Sequence, residues 1–104
     1  MAQFDVYLNS NPETKQSVPY LLDLQADLLI NLTTRVVVPL VATSAMGKVA
    51  KHLNPQFKIK ETSVVMSTVE LAGVNLHLLG EKVCSLKEMR NEIIAALDFL
   101  FIGF

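Results

Sequence analysis

The sequence predicts an α+β fold that is mainly β, a small antiparallel barrel followed by a C-terminal α-helix. Three observations carry that expectation. Residues 3–8 alternate in the period of a half-buried strand, with Phe4, Val6 and Leu8 on one side and Asp5 and Tyr7 on the other. Further along, short apolar runs rich in β-branched residues recur at close spacing, divided by turn residues. Finally, Ser85-Leu86-Lys87-Glu88 has the form of a capping box ahead of an apolar stripe with helical period.

Taken in order, residues 3–8 are the first strand. Residues 9–17 are polar, contain an Asn-Pro turn signal at Asn11-Pro12, and read as a mobile surface loop. A second strand follows over residues 18–25. Residues 35–42 (RVVVPLVA) suit a strand buried on both faces, with a bulge or edge position at Pro39, which has no N–H for a ladder. Thr43 or Ser44 can cap a short helix that places Ala45, Met46, Val49, Ala50 and Leu53 on one face and ends at Asn54-Pro55. Phe57 with Ile59, residues 64–71 and residues 74–79 are further strand candidates, with 61–63 and Ala72-Gly73 as turns. The last helix begins at Leu86 and carries Leu86, Met89, Ile93, Leu97 and Leu100 as the stripe that faces the barrel. Without internal repeat, linker or low-complexity tract, residues 1–104 read as one domain.

Hydrophobic residues make up 51% of the 104-residue chain and charged residues only 18%, which is rich for a small monomer and suggests a self-association or partner surface. With 9 Lys+Arg against 10 Asp+Glu the net charge is −1, too little field to draw in a phosphate backbone or anionic lipid, so direct nucleic-acid or membrane binding is not expected. The single cysteine cannot close an internal disulfide, and the opening residues have neither a basic n-region nor a long apolar h-region. Both features favour the cytoplasm. The longest nearly uncharged apolar stretch, residues 93–104, is 12 residues long and contains Asp98, short of the roughly 20 that a spanning helix needs.

Catalytic and cofactor chemistry finds little support. No cysteine-hydrolase signature surrounds Cys84, which reads as a small, partly buried thiol before the helix cap. His52 and His77 with one cysteine lack the clustering of a zinc site, so neither a metal nor any cofactor is expected. Gly47-Lys48 resembles the end of a phosphate loop, but the first glycine is missing and Val49 stands where the hydroxyl residue belongs. Both histidines read as solvated, His77 on the polar side of a strand and His52 in helical spacing with Lys48 and Lys51.

The C-terminus is different. Ile94, Phe101, Ile102 and Phe104 join the stripe until one helix face cannot hide them all, so the tail either folds back into the core or awaits a partner. Asp98, in the last turns, opposes the helix macrodipole by roughly 0.3–1 kcal/mol, and a residue that breaks a local rule is often functional. Leu28-Leu29-Ile30 after Asp27 is a second apolar cluster.

The chain resembles the CcdB family over essentially its whole length. Gln3-Phe4-Asp5-Val6-Tyr7 is similar to the family's QFxVY opening, Asp23-Leu24-Gln25-Ala26-Asp27-Leu28-Leu29 to its DVQSDII, and Arg35-Val36-Val37-Val38-Pro39-Leu40 to its RRMVIPL strand. Leu79-Gly80-Glu81-Lys82-Val83 is similar to its IGEEV, and the close Phe101-Ile102-Gly103-Phe104 to its terminal FWGI. The resemblance implies an SH3-like antiparallel barrel with a small additional sheet and a C-terminal α-helix, assembled as a two-fold homodimer. It implies a toxin that performs no chemistry itself, binds the A subunit of DNA gyrase and traps the enzyme on cleaved DNA. The family's contact residues fall here on Leu28, Leu29, Asp98, Phe101, Ile102, Gly103 and Phe104.

One departure stands out: the family's tryptophan in FWGI, which stacks on a gyrase arginine, is Ile102. Losing that cation–π contact, worth roughly 0.5–2 kcal/mol, weakens each protomer's grip about 2- to 30-fold unless Phe104 or Asp98 compensates. The resemblance also implies a CcdA-like antitoxin whose disordered C-terminal segment folds onto the toxin. Candidates for its footprint are Asn9, Asn11 and Lys15 in the loop and the basic Lys48, Lys51 and His52, although the same residues also read as an ordinary solvated loop and surface. Two other readings stay open: a dimeric interaction module of the same fold with weakened or lost gyrase affinity, and a ribonuclease for which only His52 or His77 with Arg35 could serve.

Overall fold

A computed structural model of the chain describes residues 2–29 and 31–103. The strands are β1 (Asp5–Asn9), β2 (Tyr20–Asp23), β3 (Thr34–Ala42), β4 (Gln56–Ile59), β5 (Thr62–Met66), β6 (Ala72–Asn75) and β7 (Leu79–Ser85), and the helix is α1 (Arg90–Ile102). All pairings are antiparallel, in the order β4-β5-β3-β2-β1-β7, and the sheet curls into a half-barrel. The small additional sheet takes the form of a branch, in which β6 pairs with Thr34 to Val37 at the start of β3 while β5 pairs with Leu40 to Ala42 at its end.

Register explains the core. Val6 lies opposite Leu22 and Leu22 opposite Val38, and in the next row Tyr20 faces Leu40 and Leu40 faces Met66. Cross-strand rows of large apolar side chains are the unit of sheet stabilisation, and these close the concave side. Ile93 and Ala96 of α1 plug it, backed by partly buried Leu97 and Ile94. Within the expected helical stripe, Met89 stays exposed and Ala96 takes the buried place. The helix also starts later than Leu86. Ser85 Oγ accepts the Lys87 N–H at 3.2 Å, a 3₁₀ turn spans Lys87–Met89, and α-helical geometry begins at Arg90.

The expectations that fail do so for local reasons. No helix forms over residues 43–53. A single 3₁₀ turn, Thr43–Ala45, gives way to extended Met46, and the Asn54 side chain holds the segment by accepting the Ala50 N–H and donating to Met66 O. Pro39 lies inside the sheet rather than at an edge, opposite Leu21. Its carbonyl accepts the Ser67 N–H on the side where β3 changes partner from β6 to β5, so the missing N–H falls in a gap of the ladder. Ala72 and Gly73 are strand residues of β6, and Leu76–Leu78, with His77, is a 3₁₀ turn. The β4–β5 hairpin turns at Lys60 and Glu61, both at positive φ as a two-residue primed turn requires.

At β1, Phe4 sits at φ 70°, so the strand begins at Asp5. Phe4 and Val6 enter the core while Leu8 is left exposed beside an irregularity in the β1–β7 pairing. Gly80 of β7 passes so close there that a Cβ would lie 2.9 Å from Leu8 O. Residues 9–17, expected to be mobile, form an exposed but tied loop: Asn9 Nδ2 donates to Thr14 Oγ1 and to Val18 O, both at 2.9 Å.

Candidate functional site

At the end of α1, helical geometry sorts the residues by face. Ile93 and Ala96 point to the core, and Asp98, Phe101 and Ile102, spaced three and four apart, share a face that points away from it. Phe101 is 69% and Ile102 63% exposed, and Asp98 is exposed without an ion pair among the described residues. The tail therefore does not fold back, as far as Gly103. Gly103 adopts the left-handed conformation (φ 78°, ψ 15°) and donates its N–H to Phe99 O at 3.0 Å, the helix-ending geometry that glycine adopts most cheaply. Phe104 lies outside the described residues, as does Ile30 of the second apolar cluster.

Leu28 and Leu29 occupy a single 3₁₀ turn, Asp27–Leu29, and are 96% and 50% exposed. What holds this turn is a buried polar network. Asp23 Oδ2 accepts from Arg35 Nε at 3.1 Å and from Arg35 Nη2, while its Oδ1 accepts the Gln25 N–H at 2.9 Å. Gln25 in turn donates from Nε2 to Leu29 O and accepts the Val36 N–H, and Asp27 Oδ1 takes the Gln3 N–H at 2.7 Å. Asp23 and Arg35 are almost wholly buried. Burial pushes the Asp23 carboxyl above its ordinary value, against the pull of the Arg35 guanidinium. Arg35 Nη1 has no partner among the described residues. Sequence reasoning missed this network. Its signal was an arginine opening an apolar strand and an aspartate closing another, both at positions where side chains are rarely charged.

Beside the network, Tyr7 donates to Asp5 Oδ2 at 3.3 Å, and Asp5 Oδ1 lies 3.4 Å from Lys82 Nζ. Burial first, then the Asp5 charge, pushes the Tyr7 phenol up to about 12. The half-buried Cys84 thiol is likewise pushed up, chiefly by burial, which keeps it in the unreactive protonated form.

Within the chain α1 lies closest to the turns Thr68–Glu70 and Lys87–Met89. Of the antitoxin candidates, Asn9 is occupied in building its loop, and Asn11 Oδ1 accepts the Glu13 N–H. Lys15 is exposed at the rim of an open groove of about 540 Å³ next to Leu8, Gln16 and Tyr20. Lys48, Lys51 and His52 are exposed on irregular chain rather than along a helix, and the His52 ring meets Phe99 of α1 with centroids 6.0 Å apart. His77 is exposed and elsewhere; among the described residues no group of three or more His, Cys, Asp or Glu is placed to hold a metal. No helix among them is long and apolar enough to cross a membrane.

These features define a small, mainly antiparallel half-barrel protein whose C-terminal helix is rooted in the core at one end and leaves large apolar side chains in solvent at the other. Residues 3–103 match the family model described as CcdB protein. The chain belongs to the CcdB family, and so to the toxins of toxin–antitoxin systems.

Proposed function

We propose that this toxin is a gyrase poison that acts in the cytoplasm by binding rather than by catalysis: it grips the A subunit of DNA gyrase and traps the cleaved-DNA complex. The contact comprises Asp98, Phe101, Ile102, Gly103 and Phe104, with Leu28 and Leu29, presented by both protomers of a two-fold dimer. One observation carries the reading. Phe101 and Ile102 stand in solvent at the end of a helix whose other face is anchored by fully buried Ile93. Fully burying each such side chain is worth about 1.5–3 kcal/mol, which a partner can recover. With isoleucine at position 102, Asp98 takes over part of the recognition through a charge-assisted hydrogen bond to a basic group of gyrase.

An acidic, disordered antitoxin neutralises the toxin. Exposed Asn11, Lys15, Lys48, Lys51 and His52 are the groups that would steer it, and Asn9 shapes the loop that presents two of them.

The decisive experiment is a gyrase cleavage assay. Accumulation of linear DNA when the protein is added to gyrase and supercoiled plasmid is the expected result. Unchanged cleavage and supercoiling would instead favour the second reading, a dimeric interaction module without gyrase affinity, for which Ile102 in place of the stacking tryptophan is the specific argument.

A further inference from the structure

The last turn of α1 has little of its own to hold it. Beyond Ala96 no side chain of the helix is buried among the described residues, the turn carries no basic residue, and Asp98 opposes the macrodipole. Yet this turn presents Phe101 and Ile102. It closes where the Gly103 N–H bonds Phe99 O at 3.0 Å. The Phe99 side chain, 37% exposed, meets the His52 ring with centroids 6.0 Å apart and planes tilted by 45°, a separation within the range of attractive aromatic pairs.

His52 stands on a fixed base. Ala50 O accepts the N–H groups of Leu53 and Asn54, at 3.0 and 2.7 Å, so residues 50–54 close a turn with His52 at its middle. The buried Asn54 side chain locks that turn: Oδ1 accepts the Ala50 N–H at 2.9 Å and Nδ2 donates to Met66 O at 3.0 Å. The hydroxyl of fully buried Thr68 donates to Leu53 O. Met66 ends β5, and Thr68 opens the 3₁₀ turn beside which α1 lies. The chain that carries His52 and the helix that carries Phe99 are therefore seated on the same stretch of residues.

We propose, resting on the gyrase reading of the tail, that His52 is a positioning residue for that contact. Its ring backs Phe99 and sets the direction in which the last turn presents Phe101 and Ile102. The role uses the ring and not a charge, which separates it from the steering of an acidic antitoxin. A phenylalanine at position 52 should serve it, and an alanine should not.

The test compares the full-length parent with His52→Ala and His52→Phe in three measurements: melting temperature, amide exchange at Gly103, and the concentration for half-maximal DNA linearisation by gyrase. In His52→Ala, exchange at Gly103 should quicken about 2- to 10-fold, the range an aromatic pair supports, while the amides of Ile93 and Ala96 and the melting temperature stay near the parent's. The linearising concentration should rise by a similar factor. His52→Phe should restore both values. In a Phe99→Ala background His52→Ala should have no further effect, because its ring partner is gone. Parent-like exchange at Gly103 in His52→Ala, parent-like linearisation despite faster exchange, or equal losses in His52→Ala and His52→Phe would each overturn the proposal. So would exchange that quickens throughout the sheet with a fall in melting temperature, the mark of a residue that only supports the fold. A parent that leaves DNA cleavage unchanged would remove the gyrase reading and this role with it, while exchange at Gly103 would still show whether the ring contact holds the helix end.

Discussion

Replacing Gly103 by arginine separates the contact from the fold. The left-handed backbone at φ 78° costs a side-chain-bearing residue about 1–2 kcal/mol, while a Cβ built there meets nothing within 4 Å, so no clash is added. The last turn can unwind to relieve the strain, which makes that figure a ceiling. At about 4–8 °C per kcal/mol for a domain near this size, the melting temperature should fall by roughly 4–16 °C and the protein should remain folded at 37 °C or below. Binding should suffer far more. A bulky cation placed in the proposed gyrase contact is expected to raise the concentration for half-maximal DNA linearisation by about 100-fold or more, equivalent to about 2.7 kcal/mol. Gly103→Asn is the companion variant, since asparagine tolerates the left-handed region and should retain more stability than arginine while still adding bulk. Melting curves and the cleavage assay read the two effects independently. A folded Gly103→Arg protein that linearises DNA at the parent's concentration would refute the assignment of the contact to this tail.

Other perturbations test the framework and the contact chemistry. Asp23→Ala leaves Arg35 buried without its carboxylate and should cost about 3–5 kcal/mol in urea unfolding, whereas Asp23→Leu/Arg35→Met should recover most of it; a cost under 1 kcal/mol for the single change would show that the pair does not hold the sheet. Tyr7 carries a phenol raised in the fold to about 12 from 10.0, so its stabilisation is complete below pH 10 and is lost as pH rises through 12. Up to about 3 kcal/mol of that alkaline loss should vanish in Tyr7→Phe, as read from urea midpoints between pH 9 and 12. Ile102→Trp should tighten gyrase binding about 2- to 30-fold by restoring a stacking surface, and Asp98→Ala should weaken it; unaltered affinity in Asp98→Ala would remove the charge-assisted contact.

Where local pattern and tertiary environment agree, the elements were legible in the chain itself. Alternation marked β1 as a strand, although Asp5 and Tyr7 are buried beside Val6 and Leu8 is exposed; the β-branched run marked β3, and helical spacing marked α1. β7 was not seen as a strand because Glu81, Lys82 and Ser85 break its apolar pattern, as solvent allows on an edge strand paired only with β1. The Lys60-Glu61 turn was displaced in the reading because neither residue favours positive φ, and the pairing of β4 with β5 imposes it. Residues 43–53 have helical spacing, but the Asn54 side chain takes the Ala50 N–H and ties the segment to Met66 O instead.

The candidate contact divides in the same way. Sequence by itself determined the family, the strands β1 to β4, the terminal helix, and a surplus of apolar residues at residues 93–104, because these depend on colinear motifs and local periodicity. Only the tertiary structure decided that Ile93 and Ala96 use up the space beneath α1 and leave Phe101 and Ile102 in solvent, and that the Asp23–Arg35 pair fastens the Leu28 turn. The volume left beneath a helix and the partners of a buried charge are set by residues distant in the chain, and no local pattern records them.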